Sequence, residues 1–316
     1  MIVTVTPNPS VDRTLVVDEF REGGVNRALD SHVEPSGKGV NVTRALITNG
    51  IASTAVLPLG GSEGDQLASL LKAERVPFVP VPIASPVRVN ISLVRTSGSA
   101  TKINERGPLL SREEVADLML TVVGLVDDAS WVVASGSLPQ GVEPGFYAEL
   151  AERVHEAGAK YALDTSGLAL RLGAATGPDL LKPNVDELAD VVDKPIRTFG
   201  DAVAAASELR QDNTSVLVSL GPDGALLVTA ESALHAEAPV GRPRNTIGAG
   251  DNLLAGYLAA AERSSTAALR EAVAYGSAAV RAPGSLAQAV TDADRRAVRV
   301  STAVDHQRAL QHPSAS

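Results

Sequence analysis

Residues 131–163 read WVVASGSLPQGVEPGFYAELAERVHEAGAKYAL. Trp131–Ala134 is a short continuous apolar run, Pro144–Glu156 carries apolar residues at helical spacing, and Tyr161–Leu163 is apolar again. A continuous run marks a strand covered on both faces, and two such strands joined through a helix make a parallel crossover. The same grammar extends in both directions. Strands are expected at Ile2–Val5, Ala55–Leu59, Leu180–Leu181, Val216–Leu220 and Ala225–Val228. Helices are expected at Val40–Thr48, Gly64–Ala73, Arg112–Val126, Phe199–Arg210, Asp251–Glu262 and Thr266–Arg281. The fold class that follows is α/β, with a doubly wound, mostly parallel sheet.

Two stretches break this rhythm. Residues 11–35 and 86–107 contain alternating patterns (Thr14–Val17, Val87–Val94, Ala100–Asn104) without a helical partner. They are expected to form a small antiparallel β lid on one domain spanning residues 1–316. Its apolar face needs a cover, which a second subunit or a bound ligand would supply. The tail after about Val300 is expected to be loosely ordered toward its end.

Composition narrows the function classes. The 316 residues are 44% hydrophobic and 21% charged, with no cysteine. Disulfides, zinc–thiolate sites and thiol nucleophiles are thereby excluded, and a reducing compartment fits. The net charge of −9, without a basic run, makes nucleic acid a poor partner, because that affinity rests on neutralising phosphates. A small anion is still open to it through local charge. The start, MIVTVTPNPS, lacks a signal-peptide pattern, and no window approaches the roughly 20 apolar residues of a membrane helix. The expectation is a cytoplasmic protein without membrane contact.

The strongest local motif runs from Asn245 to Tyr257, with Gly248-Ala249-Gly250-Asp251 at its centre and an apolar helical face (Leu253, Leu254, Tyr257, Leu258) after it. Glycines at a helix start let backbone amides converge on an anion, helped by the helix dipole. A carboxylate beside an anion hole needs a reason, and general-base work on a hydroxyl attacking a phosphate is one. A plain Asp N-cap after a flexible turn writes the same pattern.

Gly37-Lys38-Gly39-Val-Asn41 is a second glycine-rich helix start, suited to an anion or polyol and distinct from a Walker A loop, or else an ordinary strand-to-helix turn. Asn8-Pro-Ser-Val-Asp12 follows the first strand, where an Asp can hold adjacent sugar hydroxyls or simply its own turn. Arg27, Arg88 and Lys102 fall on the proposed lid, where three cations would clamp a phosphate; singly, each reads equally as a solvated charge. Ser135-Gly-Ser137 and Lys182-Pro-Asn184-Val-Asp-Glu187 both follow apolar strands. Asn184 and Glu187 suit water-bound Mg²⁺, or the acidic first turn of a helix. Ser219-Leu220-Gly221-Pro222-Asp223-Gly224 is a strand–turn–strand where a nucleotide could pass close to the backbone, or only a hairpin.

Taken in order, Asp12, Gly37-Lys38-Gly39-Val-Asn41 and Gly248-Ala249-Gly250-Asp251 resemble the ribokinase-like (PfkB) carbohydrate kinases, over nearly the whole chain from Asn8 to about Arg281. Gly24-Val-Asn-Arg27, Arg88-Val-Asn-Ile91 and Lys182-Pro-Asn-Val-Asp-Glu187 resemble the bacterial phosphosugar kinases, the first more the 1-phosphofructokinase type than the tagatose-6-phosphate type. The resemblance implies ATP and Mg²⁺, with Asp251 as catalytic base and Gly248, Ala249 and Gly250 as its anion hole. It implies sugar contacts at Asp12, Gly39 and Asn41, with Gly37 and Ser137 beside them. It implies a region for the substrate's own phosphate at Lys38, Arg88 and Lys102, with Arg27. The nucleotide would lie along Ser219 to Gly224, and the metal and phosphates near Lys182, Asn184 and Glu187. The implied reaction is phosphorylation of fructose 1-phosphate at C6. The alternatives are a tagatose-6-phosphate or fructose-6-phosphate kinase, and, outside enzymes, a sugar-phosphate sensor. The resemblance also implies a homodimer formed through the lid. Two departures stand out: Asn252 where Ser is commoner, and Glu105-Arg106 where the family carries a short acidic or glycine-rich stretch.

Overall fold

Ten strands form the main sheet of this computed structural model, which describes residues 1–241, 246, 248–281, 287–312 and 314. In chain order these are β1 (Ile2–Val5), β4 (Ser53–Leu59), β5 (Phe78–Pro82), β8 (Trp131–Ser135), β9 (Lys160–Asp164), β10 (Leu180–Leu181) and β11 (Ser215–Ser219). They are followed by β12 (Ala225–Val228), β13 (Ala233–Glu237) and β14 (Arg299–Ser301). Across the sheet the order is β14-β13-β12-β11-β10-β9-β8-β1-β4-β5. Every pair from β11 through β5 is parallel, and β12 to β14 add an antiparallel edge.

The continuous apolar runs are explained by cover on both faces. Within β8, Val132 and Ala134 pack into one core and Trp131 and Val133 into the other. The first core is closed by α3 (Arg112–Val123), α4 (Phe146–Glu156), α5 (Gly167–Ala174), α6 (Val185–Val192) and α7 (Phe199–Leu209). The second lies under α1 (Lys38–Thr48), α8 (Ala249–Ala259) and α9 (Ser265–Arg281). After β1 the chain winds outward to β4 and β5, then returns to β8 on the other side of β1 and winds away to β11. The loops leaving β1 and β8 therefore diverge, and this reversal opens a crevice at the strands' carboxyl ends.

A separate four-stranded sheet has the order β3 (Asp30–Ser36), β2 (Ser10–Val17), β6 (Arg88–Arg95), β7 (Ala100–Asn104). The pairs β2–β3 and β6–β7 are antiparallel, whereas the inner pair β2–β6 runs parallel. Strict alternation sorts its two faces. Asp12, Thr14, Asn90, Ser92, Lys102 and Asn104 share one face; Val11, Leu15, Val89, Ile91, Leu93 and Ile103 share the other. The base of the apolar face packs with Val40, Leu57 and α2 (Gly61–Ala73). Toward the rim, Ile103 is left 54% exposed.

Several elements were not anticipated. Strand β5 is Phe-Val-Pro-Val-Pro; it forms at the sheet edge, bonded among the described residues only to β4, where missing amides are tolerated. Helices α5 and α6 are eight residues each, too short for a periodic signal. The tail after Val300 is expected to be loose toward its end; residues 313, 315 and 316 lie outside the described residues, but the part before them is seated on the main domain. Leu310 is buried with its amide on Arg197 O (2.9 Å), and Ser314 N bonds Ile196 O (3.0 Å). Arg308 and Gln311 in this stretch carry the partners of a buried carboxylate on the β11–β12 turn, described below.

Leu57 is fully buried where the main sheet meets α2 and the small sheet. Leu57→Ala should lower unfolding free energy by about 2–5 kcal/mol, read from the urea midpoint. A loss under about 1 kcal/mol would show that this junction is not packed as described.

Candidate active site

Strand β9 ends on Asp164, whose side chain is 0% exposed. Two lysines reach its Oδ1: Lys38 Nζ, from the first turn of α1, at 2.8 Å, and Lys182 Nζ, just past β10, at 3.4 Å. Lys38 Nζ also lies 3.4 Å from Glu187 Oε1. Burial alone would raise the Asp164 pKa, but the ammonium groups of Lys182 and Lys38 outweigh it and hold the carboxylate below its ordinary value. Burial likewise pulls Lys38 down, and Asp164 and Glu187 outweigh it, so its pKa is raised. The loop after β8 is locked to the same strand end. Gly136 N donates to Asp164 O (2.9 Å), while Gly136 O accepts from Tyr147 Oη (2.9 Å) and Thr165 Oγ1 (2.8 Å).

Helix α8 points its N-terminus at this group. Gly248 caps it at φ +74, the left-handed region glycine tolerates. Gly248 O accepts the first helical bond from Asn252 N (2.9 Å) and a second from Asn252 Nδ2 (2.9 Å), so the unusual Asn252 fastens the turn. First-turn amides of a helix lack an intrahelical carbonyl behind them, which suits this end of α8 to an anion. A Cβ on Gly250 would stand 3.5 Å from Lys182 Nζ, which places that ammonium at the helix tip.

Asp251 is 7% exposed, and its Oδ2 accepts from Asn41 Nδ2 at 2.8 Å. Burial, then repulsion from Asp164, push its pKa up to about 6; Lys38, the Asn41 hydrogen bond and Lys182 offset part of that rise. A carboxylate poised near neutrality beside amides and ammonium groups can take a proton from a hydroxyl while the surrounding positive charge holds a phosphate.

A second polar cluster lies where the small sheet meets the segment after β1. Asp12 Oδ1 accepts from Ser10 Oγ (2.7 Å) and Asn90 Nδ2 (3.0 Å). Arg88 spans to Asn8 O (2.9 Å) and Glu105 O (3.1 Å), and Asn8 Nδ2 reaches Arg106 O (3.1 Å) and Ser137 Oγ (3.2 Å). Burial lowers the Arg88 pKa, with Asp12 and Glu105 acting the other way. Glu105-Arg106 thus ties the returning lid strand to the main domain. Around both clusters Thr6 Oγ1, Asn8 Oδ1, Asn41 Oδ1, Arg88 Nε, Asn90 Oδ1, Ser135 Oγ and Asp164 Oδ2 are buried without a hydrogen-bond partner among the described residues. Such groups are costly when dry, and their concentration at one crevice fits a polar ligand.

Not every expected residue is engaged in the same way. Gly37 and Gly39 let α1 close on β1, since added Cβ atoms would stand 2.6 and 2.5 Å from Thr6. Lys38 faces Asp164 and Glu187 instead of the lid cluster. The side chains of Arg27 and Lys102 are exposed and make no hydrogen bond or ion pair among the described residues, although Lys102 pairs with Ser92 in the sheet. Asn184 and Glu187 form a reciprocal cap on α6, Asn184 Oδ1 accepting from Glu187 N (2.7 Å) and Glu187 Oε2 from Asn184 N (2.9 Å). In the Ser219–Gly224 turn, Leu220 is buried in the core and the Asp223 carboxylate faces the tail. What that turn leaves open is backbone, notably Gly221 at φ +61, in front of which a Cβ would meet nothing. Asn245 and Ile247 lie outside the described residues.

Residues 6–292 match the family model described as pfkB family carbohydrate kinase. The chain belongs to the pfkB family of carbohydrate kinases. It is thus a phosphotransferase acting on an alcohol. The kinase is 36% identical to a 1-phosphofructokinase of Bacillus subtilis, over 82% of its own length and 85% of that protein's. It is also 34% identical to the ATP-dependent 6-phosphofructokinase isozyme 2 of Escherichia coli, over 88% and 90%. The crystal structure of Escherichia coli phosphofructokinase-2 in complex with fructose-6-phosphate superposes with a TM-score of 0.85 at 32% identity, covering 93% and 96% of the two chains.

Sequence reasoning passed over Asp164, Asn90, Ser10 and the side chain of Asn8. Asp164 had a readable signal, a carboxylate directly after the apolar Tyr161–Leu163 run, at the carboxyl end of a parallel strand. Asn90 stood inside the Arg88-Val-Asn-Ile91 run without a role of its own, because its link to Asp12 is a cross-strand pairing between segments 78 residues apart.

The raised pKa of Asp251 has a consequence for stability. Its protonated form favours the fold, so that stabilising contribution is complete below the unfolded-state pKa of about 3.9 and is lost as pH rises through about 6. Asp251→Asn should therefore unfold at higher urea than the wild type at pH 8, with the gap closing between pH 6 and pH 4. A pH-independent gap, or none at pH 8, contradicts the buried strained carboxylate.

Proposed function

We propose that this kinase transfers the γ-phosphoryl group of ATP to the C6 hydroxyl of fructose 1-phosphate, giving fructose 1,6-bisphosphate and ADP. The observation that carries the reading is Asp251, buried at the tip of α8 with a pKa of about 6 and facing Asn41, Lys38 and Lys182. Asp12, with Gly39 and Asn41, binds sugar hydroxyls; Arg88, backed by Arg27, Lys102 and Ser137, receives the substrate's own phosphate. That anchoring turns the free hydroxyl toward Asp251. The C6 oxygen bonds to the γ-phosphorus as the bond to the ADP oxygen breaks, and the hydroxyl proton passes to Asp251 Oδ. Lys182, the amides of Gly248 to Gly250, and Lys38 hold the transferring charge in a loose transition state, where positioning and electrostatics dominate. The backbone of the Ser219–Gly224 turn, open at Gly221, carries the nucleotide.

The donor set suits Mg²⁺. Among the described residues no group of three or more His, Cys, Asp or Glu encloses a metal, and Mg²⁺ retains waters and needs only one or two carboxylates. Glu187 and Asn184, with the unpartnered Asp164 Oδ2, would hold it, and it would neutralise charge on the phosphate oxygens. A second reading, phosphorylation of fructose 6-phosphate or tagatose 6-phosphate, is favoured by the likeness to the 6-phosphofructokinase isozyme. Coupled ADP detection with the three phosphosugars decides between them. In the same assay Asp251→Ala should cut kcat about 10²–10⁴-fold at nearly unchanged sugar KM, and wild-type kcat/KM should rise with pH through about 6. Binding of phosphosugar by calorimetry without turnover would mark a sensor.

The apolar face of the small sheet, with Leu15, Ile91, Leu93 and Ile103, is the surface we assign to a homodimer in the cytoplasm, the compartment a cysteine-free chain fits. Ile103→Lys should halve the mass measured by light scattering; an unchanged mass removes this face from any interface.

A further inference from the structure

The carboxylate of Asp223 is among the most deeply buried charges of the molecule, 1% exposed, and it belongs to the turn that the proposed function gives to the nucleotide. Its donors come from the far end of the chain. Arg308 Nη2 donates to Oδ1 at 2.9 Å, Gln311 Nε2 to Oδ1 at 2.9 Å, and Gln311 N to Oδ2 at 2.8 Å. Arg308 is itself aimed: its other amino group bonds Glu237 Oε2 on β13 at 2.9 Å, and its guanidinium lies 4.6 Å from the centre of the Phe199 ring. The tail is seated independently of Asp223 by Gly200 N on His306 O (3.1 Å), Phe199 N on Arg308 O (2.9 Å), and the buried Leu310.

The start of the turn is fixed by Ser219 N on Pro183 O (3.0 Å) and by the buried Leu220, and its Asp223 end is held from two sides. From the sheet side, His235 Nε2 bonds Asp223 O (2.8 Å) and Gly224 packs against Ala236 O so closely that a Cβ would stand 2.1 Å from it. From the outer side, among the described residues, the tail's hydrogen bonds reach the turn through the Asp223 carboxylate. Removing Arg308 leaves a buried charge short of its compensation, and a hydrated or displaced Asp223 carries Gly221 with it, because only the single 3₁₀ turn Gly221–Asp223 separates them.

We propose that Arg308 and Gln311 are positioning residues for the nucleotide: the C-terminal segment holds Asp223, and through it the open backbone at Gly221, in the conformation that receives ATP. This rests on the reading of Ser219–Gly224 as the nucleotide turn. Among the described residues no hydrogen bond or ion pair joins residues 306–311 to Asp12 or Asp251, so the effect is expected on the nucleotide and not on the sugar.

The test uses the full-length kinase and two variants, Arg308→Ala and Gln311→Ala, with Arg308→Lys as the conservative control. Arg308→Ala should raise KM for ATP on the order of tenfold, as loss of a charge-assisted contact predicts, with kcat and phosphosugar KM within about twofold. Gln311→Ala should do the same to a smaller degree, and Arg308→Lys should recover part of the loss. Hydrogen exchange of residues 219–224, with and without ATP, supplies the independent readout. ATP should slow it in the wild type, and Arg308→Ala should speed it in the free enzyme. If ATP protects the turn but Arg308→Ala leaves KM for ATP unchanged, the positioning role is overturned and the nucleotide site stands. If ATP does not protect the turn, both fall together. Equal rises in both KM values, with a lowered unfolding midpoint, would show a merely structural tail.

Discussion

A carboxylate without solvent contact, Asp164, held between the ammonium groups of Lys38 and Lys182, organises the catalytic end of this protein. Neither partner is tolerable alone: a buried ion without compensation is among the most costly defects a fold can carry. Because Lys38 opens α1, Lys182 follows β10 and Asp164 ends β9, the triad fixes one helix and two strands around the crevice. It also sets the field at Asp251. Repulsion from Asp164 adds to burial in raising that carboxylate, while the lysines keep the rise moderate. One arrangement thus retains positive charge where a phosphate is to sit and leaves a weakly acidic carboxyl beside it.

The cost of this arrangement is visible in the same residues. Asp251 is kept in a setting that disfavours its charged form, and buried polar atoms stand without partners from Thr6 to Asp164. Such defects would be removed in a protein selected for stability alone, and they persist where a ligand or a proton has to be received. The surrounding scaffold holds them in place by ordinary means: continuous apolar strands between two helical layers, and the locked carbonyl of Gly136.

Charge burial recurs at the β11–β12 turn. There Asp223 is compensated by a segment more than 80 residues away in the chain, as Asp12 is by Asn90 across the small sheet. In both places a site loop is fixed by a remote partner, so its local sequence carries only half of the reason for its conformation.

The central parallel strands, the longer helices and the separate alternating segments were legible from sequence, because a strand covered twice must be apolar throughout and a half-exposed one must alternate, whereas β5, α5 and α6 were not. The glycine-flanked starts of α1 and α8 were equally legible, since close backbone approach requires glycine wherever it occurs. Tertiary structure alone decided that Lys38 serves Asp164, that Asp223 turns away to the tail, that Arg308 and Leu310 are seated on the main domain and that the inner lid strands run parallel. Each of these is a pairing between distant segments. Such pairings depend on which charges and strand edges the fold buries together, and a local pattern holds no record of that.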